Sequence, residues 1–209
     1  ANENSTSVLN YYSKTTKIRA IHSSETKKSV SKSKKTTGTS ETIRALSLKP
    51  HFLIHMTHAS KSDLYSAAKK TRGIVICPRA NSSLAEGIPD IELMQKSGCM
   101  LALGTDNVMI NSPDMFREMD FLWKVTMGLH KKRIDPKEIL KMATVNGGKI
   151  LKKNIGVIGN GKIADCIFLD KHALDLEPMH DPHASIVHRA SESAVKAVMV
   201  GGKIIHGKL

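Results

Sequence analysis

The chain has 209 residues, 40% of them apolar, which is enough for one ordinary domain with a hydrophobic core. No apolar run approaches the roughly 18 residues of a membrane span, so we expect no transmembrane segment. The polar residues 1–5 carry no leader pattern, and three widely spaced cysteines make no disulfide framework. These features exclude membrane proteins and disulfide scaffolds and predict a cytoplasmic location.

The chain is strongly basic, with 32 Lys and Arg against 19 Asp and Glu and a formal net charge of +13. Such an excess is typical of proteins that bind nucleic acid or other polyanions. The lysines are scattered, however, and only four Phe, three Tyr and one Trp are present to stack on bases. The charge therefore favours solvated lysine faces over nucleic-acid binding, and polyanion binding is a weaker third hypothesis.

Short apolar runs alternate with helical patterns through the first half of the chain. The runs are continuous and bounded, which is typical of strands buried on both faces. Polar starts and apolar residues three or four positions apart predict the helices between them. The predicted strands are 17–22, 51–55, 73–78 and 99–106. The predicted helices between them are 39–48, 60–70 and 89–97.

The second half changes from helical to β-rich patterns. Its predicted elements are helices at 112–129 and 135–142 and strands within 164–170 and 195–205. The sequence Val200-Gly201-Gly202-Lys203 predicts a tight hairpin. Segments 2–16 and 27–40 carry weak patterns and support no prediction.

Repeated βα units predict an α/β fold with a parallel sheet. Four such units are half of a (β/α)₈ TIM-like barrel, which usually takes about 250 residues. The chain is therefore either a small open α/β domain or the C-terminal half of a barrel. We interpret Cys77 and Cys99 as strand residues in this sheet.

Polar residues end three of the predicted strands: His22, His55 and Asp106. The carboxyl ends of strands are where α/β folds gather ligands and catalytic groups. Imidazole nitrogens and a carboxylate suit a divalent transition metal such as zinc. Glu25 follows His22 by three residues and could carry protons at the same site.

Each of these residues also has a simpler structural interpretation. A strand-end histidine can be a hydrogen-bonded structural residue, and Asp106 can cap the following turn. Glu25 suits the first turn of a helix, where the dipole favours an acid. Spacing alone leaves both interpretations open.

Six short motifs occur in a characteristic order. They are His22-Ser-Ser-Glu25, His55-Met-Thr-His58, Cys77-Pro-Arg-Ala-Asn81, Leu103-Gly-Thr-Asp-Asn107, Ala143-Thr-Val-Asn-Gly-Gly148 and Gly161-Lys-Ile-Ala-Asp165. Together they resemble the amidohydrolase superfamily, in particular the branch with cytosine deaminase, chlorohydrolases and adenosine or S-adenosylhomocysteine deaminases. The resemblance covers roughly residues 15 to 206.

The resemblance implies the C-terminal half of the barrel over residues 1–153, followed by a β-rich segment of an accessory β-sandwich over 154–209. It implies hydrolysis of a non-peptide C–N bond in a small heterocyclic amine by a metal-activated water. Zinc is the expected metal, with iron, nickel and manganese as alternatives. A metal makes hydroxide available near neutral pH because it lowers the pKa of bound water to about 7.

The resemblance also implies a role for each site residue. His22 and Asp106 would bind the metal, and His55 would polarise the attacked group or bridge a second metal. Glu25 would shuttle protons, and Asp106 would help to deprotonate water. Arg79 and Asn81 would face the pocket as substrate-binding residues.

The sequence departs from the family pattern because it contains no His-x-His pair, which normally supplies two metal ligands from the first strand. We interpret His180, His183 and His188 in the tail as structural residues. We therefore expect the isolated chain to be inactive.

The alternative is a non-catalytic association domain. The open edges of a half-barrel predict self-association in either case.

Overall fold

A computed structural model of the protein describes residues 6–131 and 133–209. The predicted polar start, residues 1–5, lies outside the described residues. The chain forms two compact units that divide between Ser112 and Pro113. The boundary predicted at 153/154 is a different division, because it separates the barrel segment of the family from its accessory segment. That boundary stays a prediction.

The first unit alternates helices and strands. In order, its elements are α1 (Thr6–Lys14), β1 (Ala20–Ser23), α2 (Lys27–Thr37), α3 (Glu41–Ser47), β2 (Phe52–His55), α4 (Lys61–Lys70), β3 (Ile74–Ile76), α5 (Pro78–Ser83), α6 (Ile91–Lys96) and β4 (Leu101–Leu103). All four predicted strands and the three helices predicted between them are present. Each strand is shorter than predicted, and β1 ends one residue later than predicted, at Ser23.

The four strands form one parallel sheet in the order β1-β2-β3-β4. Leu53, Ile74 and Ile76 are fully buried within it, as expected for strands covered on both faces. The predicted half-barrel arrangement of βα units is confirmed. In the described part of the chain, β1 and β4 each pair on one side only, so self-association through these edges stays a prediction.

Helix α2 lies in a segment for which the sequence supported no prediction. Its only apolar residue is Val30, so it has no apolar stripe for a pattern to detect. Capping defines it instead: Thr26 Oγ1 accepts from the amide of Ser29, and Gly38 ends the helix with φ of 69°. Arg44 also donates to the buried Ser33 hydroxyl at 2.9 Å, which ties α2 to α3.

The two buried cysteines lie just outside the strands, which corrects their interpretation as strand residues. Cys77 caps the start of α5, where Pro78 begins the helix directly after β3. Cys99 precedes β4 by two residues and is 6% exposed. Burial raises the pKa of the Cys99 thiol to about 11.

The second unit combines helices with a small antiparallel sheet. Its elements are α7 (Met115–His130), α8 (Pro136–Ala143), α9 (Val145–Leu151), β5 (Cys166–Leu169), α10 (Pro182–Arg189), a short 3₁₀ turn (Glu192–Ala194), β6 (Val195–Val200) and β7 (Lys203–Gly207). The sheet order is β5-β6-β7. The predicted hairpin joins β6 to β7, with Gly201 and Gly202 at φ of 56° and 81°. Both central residues of such a two-residue turn need positive φ.

The segment predicted as β-rich also contains α10, which the sequence analysis missed. Asp181 caps this helix by accepting from the amides of His183 and Ala184, and Pro182 occupies its first turn. His188 on α10 stacks on the Trp123 ring of α7 with centroids 3.9 Å apart. Its packing agrees with a structural role for this histidine.

No helix in the described ranges is both long enough and apolar enough to cross a membrane.

Two adjacent glycines in α9 allow a matched test of packing in the second unit. A Cβ added at Gly148 would lie 2.4 Å from the carbonyl oxygen of Ile155, whereas a Cβ at Gly147 would meet nothing within 4 Å. We therefore expect Gly148→Ala to lower the free energy of unfolding by about 1–3 kcal/mol. Gly147→Ala should be neutral or stabilise by up to about 1 kcal/mol, since alanine favours the helix. Urea unfolding followed by circular dichroism measures both, and equal effects would contradict this packing.

Candidate metal centre

The parallel sheet brings the predicted site residues to one edge. His22 lies in β1, and His55 is the last residue of the neighbouring strand β2. Glu25 follows β1 by two residues, and Asp106 follows β4 by three. Because the carboxyl ends of parallel strands share an edge of the sheet, their side chains can reach a common point.

His55 Nε2 is the centre of this cluster. It lies 3.0 Å from His22 Nδ1, 3.5 Å from Glu25 Oε1 and 3.9 Å from Asp106 Oδ2. One ligand atom each from His22, Glu25 and His55 lie within 4.8 Å of one another. Asp106 lies beside this group because its Oδ2 is near His55 Nε2. The four side chains therefore lie together at the edge of the sheet where the sequence predicts them.

The spacing of these atoms fits a metal. Zinc bonds to nitrogen and oxygen at about 2.0–2.2 Å, so two ligand atoms on one tetrahedral zinc are roughly 3.3 Å apart. The separations of 3.0, 3.5 and 3.9 Å around His55 Nε2 lie near that value. Two imidazoles with carboxylates are also a donor set that zinc prefers. The residues therefore fit the metal that the sequence predicts.

The other nitrogen of His55 is also engaged. Nδ1 lies 2.9 Å from Asn81 Oδ1, and Asn81 Nδ2 donates to Thr57 Oγ1 at 2.7 Å. His55 is 0% exposed and Asn81 is 1% exposed. Both ends of the Asn81 amide thus contact protein groups behind the cluster, while its predicted contact with substrate stays a prediction.

The backbone around the cluster is strained. Four non-glycine residues at the strand ends have left-handed φ: Ser24 at 51°, His55 at 68°, Met56 at 58° and Asp106 at 57°. Such conformations cost of order 1–3 kcal/mol each and persist where the surrounding structure holds them. Strain of this kind is concentrated at functional sites.

Hydrogen bonds between the ends of β1 and β2 hold the strained segment. The amide of Met56 donates to the Ser23 carbonyl at 3.0 Å, and the amide of His58 donates to the Ser24 carbonyl at 2.8 Å. The two carbonyls belong to consecutive residues, so the segment after His55 is fixed against the end of β1. These bonds fix the backbone from which the His55 side chain projects.

His22 is disposed to be neutral. Desolvation by the surrounding protein and the neighbouring His55 lower the pKa of His22, and the carboxylates of Asp106 and Glu25 partly oppose them. A neutral imidazole is the form that binds a metal. At neutral pH, His22 therefore does not need to lose a proton before it acts as a ligand.

Arg79 lies on α5 and contacts the loop after β4. Its Nη1 donates to the carbonyl of Ser112 at 3.2 Å. This bond fixes the end of the loop that follows β4 and contains Asp106. The substrate-binding role predicted for Arg79 stays a prediction.

Sequence reasoning missed the hydroxyl groups that support the cluster. Ser24 Oγ and Thr42 Oγ1 are 2.9 Å apart, and both residues are buried beneath the strand ends. Thr57 orients Asn81 from the segment after β2. The His55-Met-Thr-His58 motif contained the signal for Thr57, but a single hydroxyl in a motif does not reveal its partner.

Comparison with known proteins identifies the family. Residues 6–205 match the Amidohydrolase family. This chain belongs to that family. A protein of Methanothermobacter thermautotrophicus, provisionally named an aminohydrolase, is 38% identical over 189 residues, covering 90% of this chain and 47% of its own length.

A second relative of this amidohydrolase is the 5-methylthioadenosine/S-adenosylhomocysteine deaminase of Thermococcus sibiricus. It is 34% identical over 202 residues, covering 91% of this chain and 47% of the relative. A crystal structure of an adenosine deaminase from Xanthomonas campestris with bound zinc matches with a TM-score of 0.83 and 27% identity. That match covers 88% of this chain and 44% of the other, so the amidohydrolase chain spans about half the length of its relatives.

The low pKa of His22 can be measured in the metal-free protein. The shift predicts that His22 titrates below the value near 6.5 of an unperturbed histidine. Because the folded-state pKa is below the unfolded one, the stability that neutral His22 contributes is present above about pH 6.5 and is lost as the pH falls toward the folded pKa. NMR titration of the ring Cε1–H should give a lower midpoint in the native chain than in urea. An equal or higher native midpoint would contradict the described surroundings of His22.

Proposed function

We propose that this amidohydrolase chain contributes part of the active site of a metal-dependent deaminase that acts on a purine-like or other heterocyclic amine. The convergence of His22, Glu25, His55 and Asp106 around His55 Nε2 carries the proposal. The deaminase names of its relatives support the reaction class. The zinc in the adenosine deaminase structure supports zinc over iron, nickel or manganese.

We assign metal binding to His22 and Asp106. The low pKa of His22 keeps its ring in the neutral form that a metal binds. The Asp106 side chain is 17% exposed, so its carboxylate is largely shielded from water. One oxygen of the carboxylate can bind the metal while the other accepts a proton. A bound zinc would supply Lewis-acid activation of water at this position.

The remaining groups move protons and orient the substrate. Asp106 accepts one proton of the water as its oxygen bonds to the ring carbon. Glu25, whose side chain is 26% exposed, can reach both the cluster and the solvent side, so it carries the proton of the resulting hydroxyl group to the leaving amino nitrogen. The C–N bond then breaks, ammonia departs, the carbon retains the oxygen as a carbonyl, and Asp106 returns its proton to the adjacent ring nitrogen.

His55 has two available roles in this scheme. Its Nε2 is close enough to His22 Nδ1 to share a metal with it, and it can equally donate or accept a hydrogen bond at the attacked group. The zinc affinity of a His55 variant distinguishes them. A loss of affinity assigns a ligand role, and an unchanged affinity assigns polarisation of the substrate.

Zinc binding by this 209-residue chain tests the metal centre directly. We expect about one equivalent to bind, with His22→Ala weakening the affinity at least 10-fold because it removes a ligand. His206→Ala in β7 is the matched control, since this exposed histidine lies in the other sheet. Competition with a chromogenic chelator measures the affinities. Equal affinity in wild type and His22→Ala would contradict the proposed ligand set.

Activity should require more of the protein than this chain. The chain contains no His-x-His pair, the source of two metal ligands in the family pattern, and it spans about half the length of its relatives. We expect no turnover of adenosine or S-adenosylhomocysteine by the isolated chain. Fusion behind the N-terminal half of the Methanothermobacter relative should produce deamination, and Asp106→Asn should lower its kcat by about 10²–10⁴.

An ammonia-release assay with zinc present measures these activities. Lys208→Ala in the fusion is a suitable control because this exposed residue follows the last strand. Metal-dependent turnover by the isolated chain would contradict the proposal that it holds only part of the site. Full activity of the Asp106→Asn fusion would contradict the role of Asp106.

A further inference from the structure

We propose that Asn81 is a positioning residue that fixes the tautomer of His55, so that the Nε2 lone pair faces the metal-binding cluster. The importance of this tautomer for metal binding and catalysis rests on the proposed function. The inference concerns a residue whose side-chain amide contacts His55 and Thr57. Asn81 acts through His55.

The argument begins with the two unlike ends of the Asn81 amide. Nδ2 donates to Thr57 Oγ1 at 2.7 Å, so Oδ1 is the end that faces His55. An amide oxygen can only accept a hydrogen bond. His55 Nδ1, 2.9 Å from Oδ1, must therefore carry the proton.

The consequence appears at the opposite side of the ring. In a neutral imidazole one nitrogen is the donor and the other is the acceptor, so a proton on Nδ1 leaves a lone pair on Nε2. Nε2 is the atom that lies 3.0 Å from His22 Nδ1 and near both carboxylates. With the other tautomer, a hydrogen atom would occupy that position and exclude a cation.

Burial makes this bond specific. His55 is 0% exposed and Asn81 is 1% exposed, so water does not compete for Nδ1 or for the amide. A buried polar atom without a partner is unfavourable, which penalises the tautomer that does not match Oδ1. Groups that orient a metal-binding histidine typically change metal affinity 10–100-fold when removed.

The Cys77-Pro-Arg-Ala-Asn81 motif explains how Asn81 reaches this position. Pro78 begins α5 immediately after β3, and the Asn81 amide donates to the Cys77 carbonyl at 3.0 Å. The Asn81 carbonyl in turn accepts from the Glu86 amide at 2.8 Å. Asn81 thus has a backbone fixed at both its amide and its carbonyl, one helical turn beyond the strand next to β2.

The Thr57 hydroxyl can accept or donate, so the orientation of the Asn81 amide and the tautomer of His55 change together. If the Thr57 hydroxyl donated to Oδ1 instead, the amide NH₂ would donate to His55 Nδ1 and the proton would lie on Nε2. This reversed arrangement predicts the opposite tautomer. The tautomer of His55 is therefore the observable that decides the inference.

The test is long-range ¹H–¹⁵N correlation NMR on the metal-free 209-residue chain with ¹⁵N-labelled histidine, at a fixed pH where the ring is neutral. His55→Gln identifies the His55 signals. We expect a protonated Nδ1 and an unprotonated Nε2 in the wild type. A protonated Nε2 in the wild type would overturn the inference.

Two variants separate positioning from a merely structural role. Asn81→Asp retains an oxygen acceptor and should keep the Nδ1–H tautomer, whereas Asn81→Leu removes the acceptor and should populate Nε2–H. If His55 is a zinc ligand, zinc affinity should fall 10–100-fold in Asn81→Leu and by less in Asn81→Asp, and if it is not, the tautomer alone decides the inference. Retention of both the tautomer and the zinc affinity in Asn81→Leu would overturn the inference.

The two readouts also separate this inference from the proposed function. If Asn81→Leu does not fold, the tautomers of the wild type and Asn81→Asp still decide it. If the wild type binds no zinc, the proposed metal centre fails, while the wild-type tautomer still shows whether Asn81 orients the ring.

Discussion

Two imidazole nitrogens, His22 Nδ1 and His55 Nε2, lie 3.0 Å apart, and the rest of the site depends on that separation. β1 and β2 pair in parallel with His22 opposite Ile54 and Ser23 opposite His55, so regular alternation would direct the two rings to opposite faces. The left-handed backbone at His55, with φ of 68°, departs from that alternation at the carboxyl edge that the two strands share. A shift of this register by one residue would turn the fully buried Leu53 away from the core and displace His55 relative to His22. The buried apolar residues of the strands, such as Leu53, therefore determine the register and, through it, the cluster.

The fold stabilises conformations at this edge that are unfavourable in isolation. His55 and Met56 are consecutive left-handed residues, and the Met56 amide compensates by bonding to the Ser23 carbonyl. The fully buried His55 ring would be costly without partners, but both of its nitrogens have polar neighbours. Strain and burial together leave the ring few alternative positions, which is what a preorganised metal site requires.

The sequence predicted the features that repeat or that stand at fixed places in a pattern. Alternating apolar runs indicated the parallel strands, and polar residues at their ends indicated His22, His55 and Asp106. Helix α2 was missed because Val30 is its only apolar residue and its caps, Thr26 and Gly38, are short-range signals. The relation of Asn81 to His55 was missed because 26 residues separate them and only the sheet and α5 bring them together.

The coordination shell of the zinc-loaded chain is the measurement that tests the central claim most directly. X-ray absorption spectroscopy at the zinc edge should show nitrogen and oxygen at about 2.0–2.1 Å with outer-shell scattering from one imidazole, or from two if His55 is a ligand. That imidazole scattering should decrease in His22→Ala. Sulfur at about 2.3 Å would place the metal on a cysteine, and a shell of oxygen alone would exclude both histidines; either result would contradict the account.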